Sequence, residues 1–404
     1  MKKTLIVTGS APGLRGVGGV LIGDMLAVSD VEKVSLIGIV AQSQCKSVDL
    51  ARLNEFHSLE PRFEWFPAPS TALARSLSRL RHRVFQYDRH LKGLVRDSRG
   101  FLKAQSPEQV WVILNSTTAI DLCFELLPEI NTDLIVQVWD DPHHLCQQRL
   151  VDRFTRKRTM ARFEALLRRA KRVGVICEEA ASHYRKLSAA PMIIVRHGLA
   201  DVQASPRYEF ETTNEFRIGF SGSLYAFEAW RTLEKALDQL NWEVNGRKVV
   251  LVVAGGRIEF TSRCRADARF VGWRSQSELH ELLCGCDVLY LPQSFSSNDR
   301  ALTQLSFPTK LSSYVATGRP IIAHGPTYGS VNRFCKDHQF GVVCESLEPA
   351  SMCELLQRLA SDDDFRMKQA LGSVRIAREQ LTYTNFANGV RELLGIAPAV
   401  PESV

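Results

Sequence analysis

The sequence predicts an α/β protein of two doubly wound domains, in which helices cover both faces of parallel sheets. Short, continuous runs rich in Val and Ile recur in both halves of the chain, with helical or polar stretches between them, as expected for buried parallel strands. With 404 residues, of which 45% are apolar, the chain is long enough for two cores of ordinary size. The pattern is interrupted at residues 201–215, where Pro206 has polar neighbours, which indicates an interdomain linker.

Apolar runs place the strands in order. In the first half they are Leu5–Thr8, Val34–Val40, Val110–Leu114, Leu134–Val138, Val173–Cys177 and Met192–Val195. In the second half they are Phe216–Phe220, Val249–Val253, Phe270–Val271, Val288–Leu291, Ile321–Ala323 and Val342–Val343. The predicted parts are therefore a first domain at 1–200, a linker at 201–215, a second domain at 216–382 and a C-terminal segment at 383–404.

Composition restricts the class of protein further. The apolar run after the charged N-terminus is too short for a signal peptide, and no stretch approaches the roughly 18 apolar residues of a spanning helix. The ten cysteines are expected to be free thiols, and Cys284 and Cys286 lack a second ligand pair at zinc-site spacing. We therefore expect a cytoplasmic protein, or one bound to a membrane surface.

Four strand-to-helix turns carry candidate site residues, because doubly wound domains bind ligands at the carboxyl ends of their strands. The first runs from Gly9 to Gly19 and includes the candidates Gly18 and Gly19. Glycines let backbone N–H groups approach a ligand, and the next helix presents its positive end to an anion. The spacing is neither Walker A nor a clean GxGxxG, and a mobile loop is the alternative interpretation.

The second and third turns follow the first two predicted strands of the second half. Gly222 and Ser223 can bind a phosphate through backbone and hydroxyl donors, although an ordinary turn with a helix N-cap has the same composition. Gly255 and Arg257 repeat the pattern. Arg257 is either a ligand clamp or a solvated loop residue.

The fourth turn contains a lysine that local structure does not explain. Pro308 suits the first turn of a helix, so Lys310 falls where the helix is positively polarised and a cation needs an anionic partner. A bound diphosphate supplies that partner, and a surface salt bridge is the alternative. The hydroxyls of Thr309 and Ser313 are candidate ligand contacts on the same helix.

The segments around Lys310 resemble the donor-binding region of GT-B glycosyltransferases of the family 4 type, in the subset with a Pro-x-Lys-Leu turn. They are Phe307–Leu311, Tyr314–Ala316 and Gly318–Ile322. Further segments follow in the family's order, namely Phe216–Leu240, Val249–Gly256, Phe270–Trp273 and Cys286–Pro292. In the first half the resemblance is looser and covers Glu164–Tyr184 and Arg196–Leu199.

The resemblance implies two facing Rossmann-like domains, with a nucleotide-sugar donor, a UDP-sugar being favoured, held by the second and an acceptor held by the first. It implies transfer with retention, usually without a metal, and Lys310 as the residue that stabilises the leaving group. It places His197 on a loop that faces the acceptor side, and it folds the C-terminal helix back across the first domain. The turn residues of the second half become donor-binding candidates.

This sequence also departs from the family's pattern. Ser313 and Leu305 stand where members carry two carboxylates for the donor's hydroxyls, and Ser223 and Glu228 stand at or near the positions of two cations. The departures imply either a different donor geometry or a degenerate transferase. A catalytically inactive binding or partner subunit is therefore one alternative function, and a nucleotide-sugar epimerase of related shape is another.

On the acceptor side, Asp140 and His143 follow the predicted strand Leu134–Val138 directly. A carboxylate or imidazole there can receive the proton of an acceptor hydroxyl. A solvated turn with a capping Asp is the alternative. The adjacent Asp141 suggests a metal pair, but the GT-B resemblance argues against a metal.

The basic excess lies in the first half, where residues 1–200 hold 29 Lys/Arg against 20 Asp/Glu. It is concentrated in two stretches near 73–94 and 149–172, the first of which has helical apolar periodicity. Each can be a domain helix with solvated charges. Together they predict an anionic membrane surface as partner, since no nucleic-acid module accompanies the charge. We therefore expect a glycan or lipid-linked acceptor, used in surface polysaccharide or glycolipid synthesis at the inner face of the cell membrane.

Overall fold

The computed structural model describes residues 1–14, 16–61, 71, 73–74, 77, 87–148, 151–199, 213–261 and 267–397. The chain divides into two compact units, one formed by residues 1–195 with 387–404 and the other by residues 196–386. The sequence predicted the first boundary at residue 200. The difference arises because Leu199 belongs to the second unit: its N–H donates to Leu381 O at 2.9 Å, and its carbonyl accepts from Tyr383 N at 2.6 Å. Most of the predicted linker lies outside the described residues.

The first unit contains a parallel sheet of seven strands in the order β3-β2-β1-β4-β5-β6-β7, the doubly wound arrangement. Its strands are β1 Thr4–Thr8, β2 Val34–Ile39, β3 Glu55–Leu59, β4 Gln109–Leu114, β5 Asp133–Val138, β6 Arg172–Val175 and β7 Met192–Ile194. Its described helices before residue 195 are α1 Val17–Ala27, α2 Asp88–Gln105, α3 Thr117–Leu126, α4 Pro142–Gln148, α5 Arg153–Arg169 and α6 Glu178–Tyr184. Half of the predicted basic helix at 73–94 lies outside the described residues, at 75–76 and 78–86, and its last residues, 88–94, form the start of α2.

The second unit repeats the plan with the order β11-β10-β8-β12-β13-β14, and a short strand β9 pairs antiparallel with β10. Its strands are β8 Glu215–Ser221, β9 Glu243–Val244, β10 Arg247–Ala254, β11 Ala268–Gly272, β12 Val288–Pro292, β13 Ile321–His324 and β14 Val342–Cys344. Its described helices are α7 Phe227–Gln239, α8 Gln276–Cys284, α9 Arg300–Leu305, α10 Lys310–Val315, α11 Ser330–Asp337, α12 Pro349–Ser361 and α13 Asp363–Glu379. The last helix, α14 Tyr383–Leu394, begins in the second unit and continues into the first from Ala387 onward.

An aromatic cluster forms the centre of the second unit's core. Trp230 of α7 meets Phe220 and Phe260 edge-on, at 5.2 and 5.6 Å between ring centroids, and Tyr290 of β12 lies 6.0 Å away. Edge-to-face aromatic pairs add about 0.5–1.5 kcal/mol each beyond their burial. Because Phe220 lies near the carboxyl end of β8, this packing holds the turn after β8 in place.

A buried carboxylate connects three helices of the first unit. Asp121 of α3 is fully buried and accepts hydrogen bonds from Tyr87 and from Thr159 Oγ1, the latter at 3.2 Å. Arg162 of α5 forms an ion pair with the same carboxylate at 3.1 Å. This cation of the basic stretch therefore stabilises the fold, because a buried carboxylate without its partner is strongly destabilising.

Three expectations from composition can be compared with the described residues. None of their cysteines forms a disulfide, and burial raises the pKa of the Cys286 thiol to about 12, which makes it unreactive. Among their helices, none is long and apolar enough to cross a membrane. Their His, Cys, Asp and Glu side chains form no group of three or more that can hold a metal ion.

Candidate functional site

Two glycine turns meet at the carboxyl edge of the second sheet. Gly222 follows β8 with φ +86°, and Gly255 follows β10 with φ +116°, a region that side chains other than glycine rarely adopt. Gly222 N donates to Ala254 O at 2.8 Å, and a Cβ on Gly255 would lie 3.0 Å from Gly222 O. Glycine is therefore required at both positions by the backbone conformation, and at Gly255 by the close approach as well.

Lys310, the first residue of α10, lies beside these turns. Its Nζ is 3.4 Å from Ser223 O, 4.7 Å from the centroid of the Phe220 ring and 3.6 Å from the place of a Cβ on Gly222. Among the described residues, no carboxylate forms an ion pair with it. Burial lowers the pKa of Lys310 to about 8, because desolvation disfavours the charged amine. Gly222, Ser223, Gly255 and Lys310 are called the Lys310 cluster below.

Helix α10 is held in place by two hydroxyls that the sequence did not identify as support for the site. The hydroxyl of Tyr314, one turn after Lys310, accepts from Ser221 N at 2.8 Å. Ser312 Oγ donates to His197 O at 2.9 Å. The spacing of four residues between Lys310 and Tyr314 places both on one helix face, so the helix spacing could have indicated this pairing.

The other donor-binding candidates occupy less enclosed positions. Thr309 is the N-cap residue of α10, and its side chain makes no capping hydrogen bond. Ser313 is partly exposed, and Arg257 is exposed. Leu305, at the place of an expected carboxylate, is buried and therefore packs as an apolar residue. The structure thus brings Lys310, Gly222, Ser223 and Gly255 together and leaves Arg257 on the surface of its loop.

The turn after β5 in the first unit contains a perturbed carboxylate. Burial raises the pKa of Asp140; the nearby charge of His144 opposes this, and that of Asp141 adds to it. Asp141 has a structural role instead: its two carboxylate oxygens accept from His143 N and Tyr184 Oη, both at 2.9 Å. A carboxylate with a raised pKa is better matched to general-base work near neutral pH.

The two neighbouring histidines differ in position. His143 is exposed, whereas His144 is buried and is the imidazole whose charge acts on Asp140. The sequence selected His143 as the candidate and missed His144. Successive helical residues point about 100° apart, so only the packing of α4 decides which imidazole faces inward.

The glycine turn after β1 lies against the same edge of the first sheet. Gly18 is the second residue of α1, and a Cβ on it would lie 3.6 Å from the Trp139 ring, which places the start of α1 next to Asp140. A Cβ on Gly19 would lie 2.1 Å from Leu14 O, so close packing accounts for Gly19. The candidates Gly18 and Asp140 thus share one edge.

His197, predicted on the acceptor side, belongs to the second unit in the structure. Its ring lies edge-on to Phe386 at 5.8 Å, and its carbonyl accepts from Ser312. It therefore connects residues 196–199 to α10 and to the start of α14.

Comparisons with known proteins agree with this architecture. Residues 215–362 match the model of a family described as Glycosyl transferases group 1. A search of curated proteins finds no significant match. The matched residues include the whole Lys310 cluster.

Solved structures with the same fold span nearly the whole chain. HepE of Anabaena in complex with UDP has 13% identity and a TM-score of 0.65, over 97% of this chain and 99% of its own. Sucrose-phosphate synthase from Thermosynechococcus elongatus has 13% identity and a TM-score of 0.67, over 98% of each chain. The lipopolysaccharide outer core galactosyltransferase WaaB has 15% identity and a TM-score of 0.56, over 96% and 99%. The chain therefore has two Rossmann-like domains of the GT-B architecture. The match of residues 215–362 to the glycosyl transferases group 1 model supports the predicted enzyme class, a nucleotide-sugar glycosyltransferase.

Proposed function

We propose that the protein transfers a sugar from a nucleotide-sugar donor, with retention of configuration, to a glycan or lipid-linked acceptor held at a membrane. The observation that carries the proposal is the position of Lys310 beside two glycine turns, with no described carboxylate as its ion-pair partner. A UDP-sugar is the favoured donor, because HepE has been solved with UDP and with UDP-glucose. Bacterial surface polysaccharide or glycolipid synthesis is the process in which we place it.

The Lys310 cluster is suited to stabilise the leaving group of the transfer reaction, a nucleoside diphosphate. Transfer breaks the bond between the sugar's anomeric carbon and a diphosphate oxygen, and it forms a bond from that carbon to the acceptor's hydroxyl oxygen on the same face, as retention requires. Negative charge therefore develops on the phosphate oxygen that leaves. The protonated amine of Lys310 and the backbone N–H groups of the glycine turns stabilise that charge, as fixed donors do at other sites of developing charge. This assignment needs no metal ion.

Asp140 is the proposed proton acceptor for the acceptor's hydroxyl. Its partial burial and raised pKa make it a stronger base than a solvated Asp. His144 is close enough for its charge to act on Asp140 and is the proposed partner in place of the exposed His143. Gly18 leaves room beside Trp139 on the same edge.

A second candidate function is a nucleotide-binding or partner subunit that no longer transfers sugar. Leu305 and Ser313 favour it, since neither can accept hydrogen bonds as a carboxylate does. Thermal unfolding of the intact chain with UDP-, GDP- and CMP-sugars tests the donor site for both functions, because a ligand that binds only the folded state raises the melting temperature. Release of free nucleoside diphosphate from the same donors then separates the transferase from the binding subunit.

The proposed membrane contact is the exposed face of α5. Phe154 is 70% exposed, and Arg153, Arg156 and Lys157 beside it are exposed as well, while the opposite face packs through Phe163 into the first unit. An exposed aromatic ring among cations is the composition of helices that lie in an anionic membrane interface.

We expect the protein to float with anionic vesicles and not with neutral ones. Changing Arg153, Arg156 and Lys157 together to Gln should weaken partitioning roughly 100-fold, since each cation contributes about 1 kcal/mol at an anionic surface. The matched control changes three exposed cations of the second unit, Lys235, Lys368 and Arg378, to Gln and should have little effect. Equal flotation with neutral and anionic vesicles would remove the electrostatic argument.

A further inference from the structure

A carboxylate that no family motif indicated lies at the same edge of the second sheet as Lys310. Asp299 ends a single 3-10 turn, Ser297–Asp299, in the segment after β12. Strands β8 and β12 are parallel neighbours, with Leu289 opposite Gly219, so the segments that follow them leave the same edge. Asp299 is therefore on the edge where the second unit carries the Lys310 cluster.

A buried serine, Ser294, orients the carboxylate of Asp299. Ser294 is fully buried, and its Oγ donates to Asp299 Oδ2 at 2.9 Å. Thr303 Oγ1 in turn donates to Ser294 O at 3.0 Å. Asp299 is also the N-cap residue of α9, yet its side chain makes no capping hydrogen bond. Among the described residues no donor reaches Oδ1, so one oxygen is fixed and the other remains available to a ligand.

Tyr225 links this carboxylate to the Lys310 cluster. The ring of Tyr225 lies in the segment after β8, with its centroid 5.9 Å from Lys310 Nζ. Burial, and after it the charge of Asp299, raises the pKa of Tyr225 to about 12. Tyr225 therefore lies within electrostatic reach of Asp299 and in contact with Lys310, which places an anion and a cation around one aromatic side chain.

We propose that Asp299 accepts hydrogen bonds from hydroxyls of the donor's sugar part, and so supplies the carboxylate that is missing at Leu305 and Ser313. The assignment rests on the proposed nucleotide-sugar function. An ionised carboxylate is an acceptor only and can receive vicinal hydroxyls, and such charge-assisted bonds are stronger than those of a serine hydroxyl. Lys310 then holds the diphosphate, and Asp299 holds hydroxyls of the ribose or of the transferred sugar.

The variant Asp299→Asn tests the assignment on the full chain. Asn keeps the size of the side chain and an oxygen that can accept from Ser294, but it loses the charge and one acceptor. We expect affinity for a UDP-sugar to fall about tenfold, because hydrogen bonds to charged groups are the stronger class. The control Asp337→Asn, an exposed residue of α11, should bind as the unmodified protein does.

Binding of UDP and of UDP-glucose, measured by titration calorimetry, separates the two sources of hydroxyls. Weaker binding of both ligands assigns Asp299 to the ribose, and weaker binding of UDP-glucose alone assigns it to the transferred sugar. Unchanged affinity for both overturns the assignment. If Asp299→Asn fails to fold, Asp299→Glu keeps the charge but moves it by one methylene and should also weaken binding; unchanged affinity in that variant overturns the assignment equally. If the unmodified protein binds no nucleotide sugar at all, the proposed function fails rather than the role of Asp299.

Discussion

Lys310→Ala should lower kcat for sugar transfer by about 10²–10³, the loss seen when one preorganised donor to a developing anion is removed. The fold should be retained, because the amine makes one long hydrogen bond, to Ser223 O at 3.4 Å, and no ion pair with a described carboxylate. Release of nucleoside diphosphate measures the effect. Lys235→Ala, an exposed lysine of α7, is the matched control and should turn over normally.

The pH dependence follows from the same lysine. Burial lowers the pKa of Lys310 to about 8, so the free enzyme loses this positive charge as pH rises through that value. Because kcat/KM reports the ionisation of the free enzyme, kcat/KM for the donor should fall above about pH 8 and stay level just below it. Normal turnover by Lys310→Ala, or a flat profile to pH 9.5, would contradict the role of this amine.

Asp140→Asn should lower kcat by about 10²–10⁴, the usual contribution of a positioned general base. Donor affinity should stay unchanged, because the proposed role of Asp140 is to take the proton of the acceptor's hydroxyl, whereas the Lys310 cluster is the proposed donor site. The measurement is kcat with saturating acceptor, together with a separate titration of donor binding. The control is Asp97→Asn, an exposed carboxylate of α2 in the same unit.

Two outcomes would contradict the role of Asp140. The first is a loss of donor affinity that accounts for the whole change in turnover, since the carboxylate would then act on the donor. The second is a turnover close to that of the unmodified protein. In both cases the variant must first be shown to fold, by a melting temperature equal to that of the unmodified protein. We expect it to fold, because Asp140 lies in a turn.

Much of the fold could be predicted because parallel strands buried on both faces are apolar throughout. All twelve apolar runs correspond to strands in the structure. Strand β3 was missed, since Glu55–Leu59 lies at the sheet edge and only its last residue, Leu59, is buried. Strand β9 was missed because it contains two residues, Glu243 and Val244.

The candidate site could be predicted from the sequence where the charge of a side chain is unfavourable in its predicted secondary structure. Lys310 in the first turn of a helix is such a case, and glycines after strands mark turns that approach a ligand. Tyr314 was not selected as a candidate, although its spacing of four residues from Lys310 places both on one helix face. His144 and Asp299 were not selected because their positions depend on which face of a short helix packs inward and on which strands are neighbours. Those choices are made by tertiary packing and leave no local pattern.

The melting temperature of the intact protein with nucleotide sugars tests the central claim most directly. At a ligand concentration of 100 times Kd, binding to the folded state adds about 2.7 kcal/mol of stability, which for a unit of this size raises the melting temperature by about 5–10 °C. We expect this rise with at least one of the UDP-, GDP- and CMP-sugars, and a much smaller one for Lys310→Ala with the same ligand. An unchanged melting temperature with every nucleotide sugar would contradict the assignment of the second unit as a donor site.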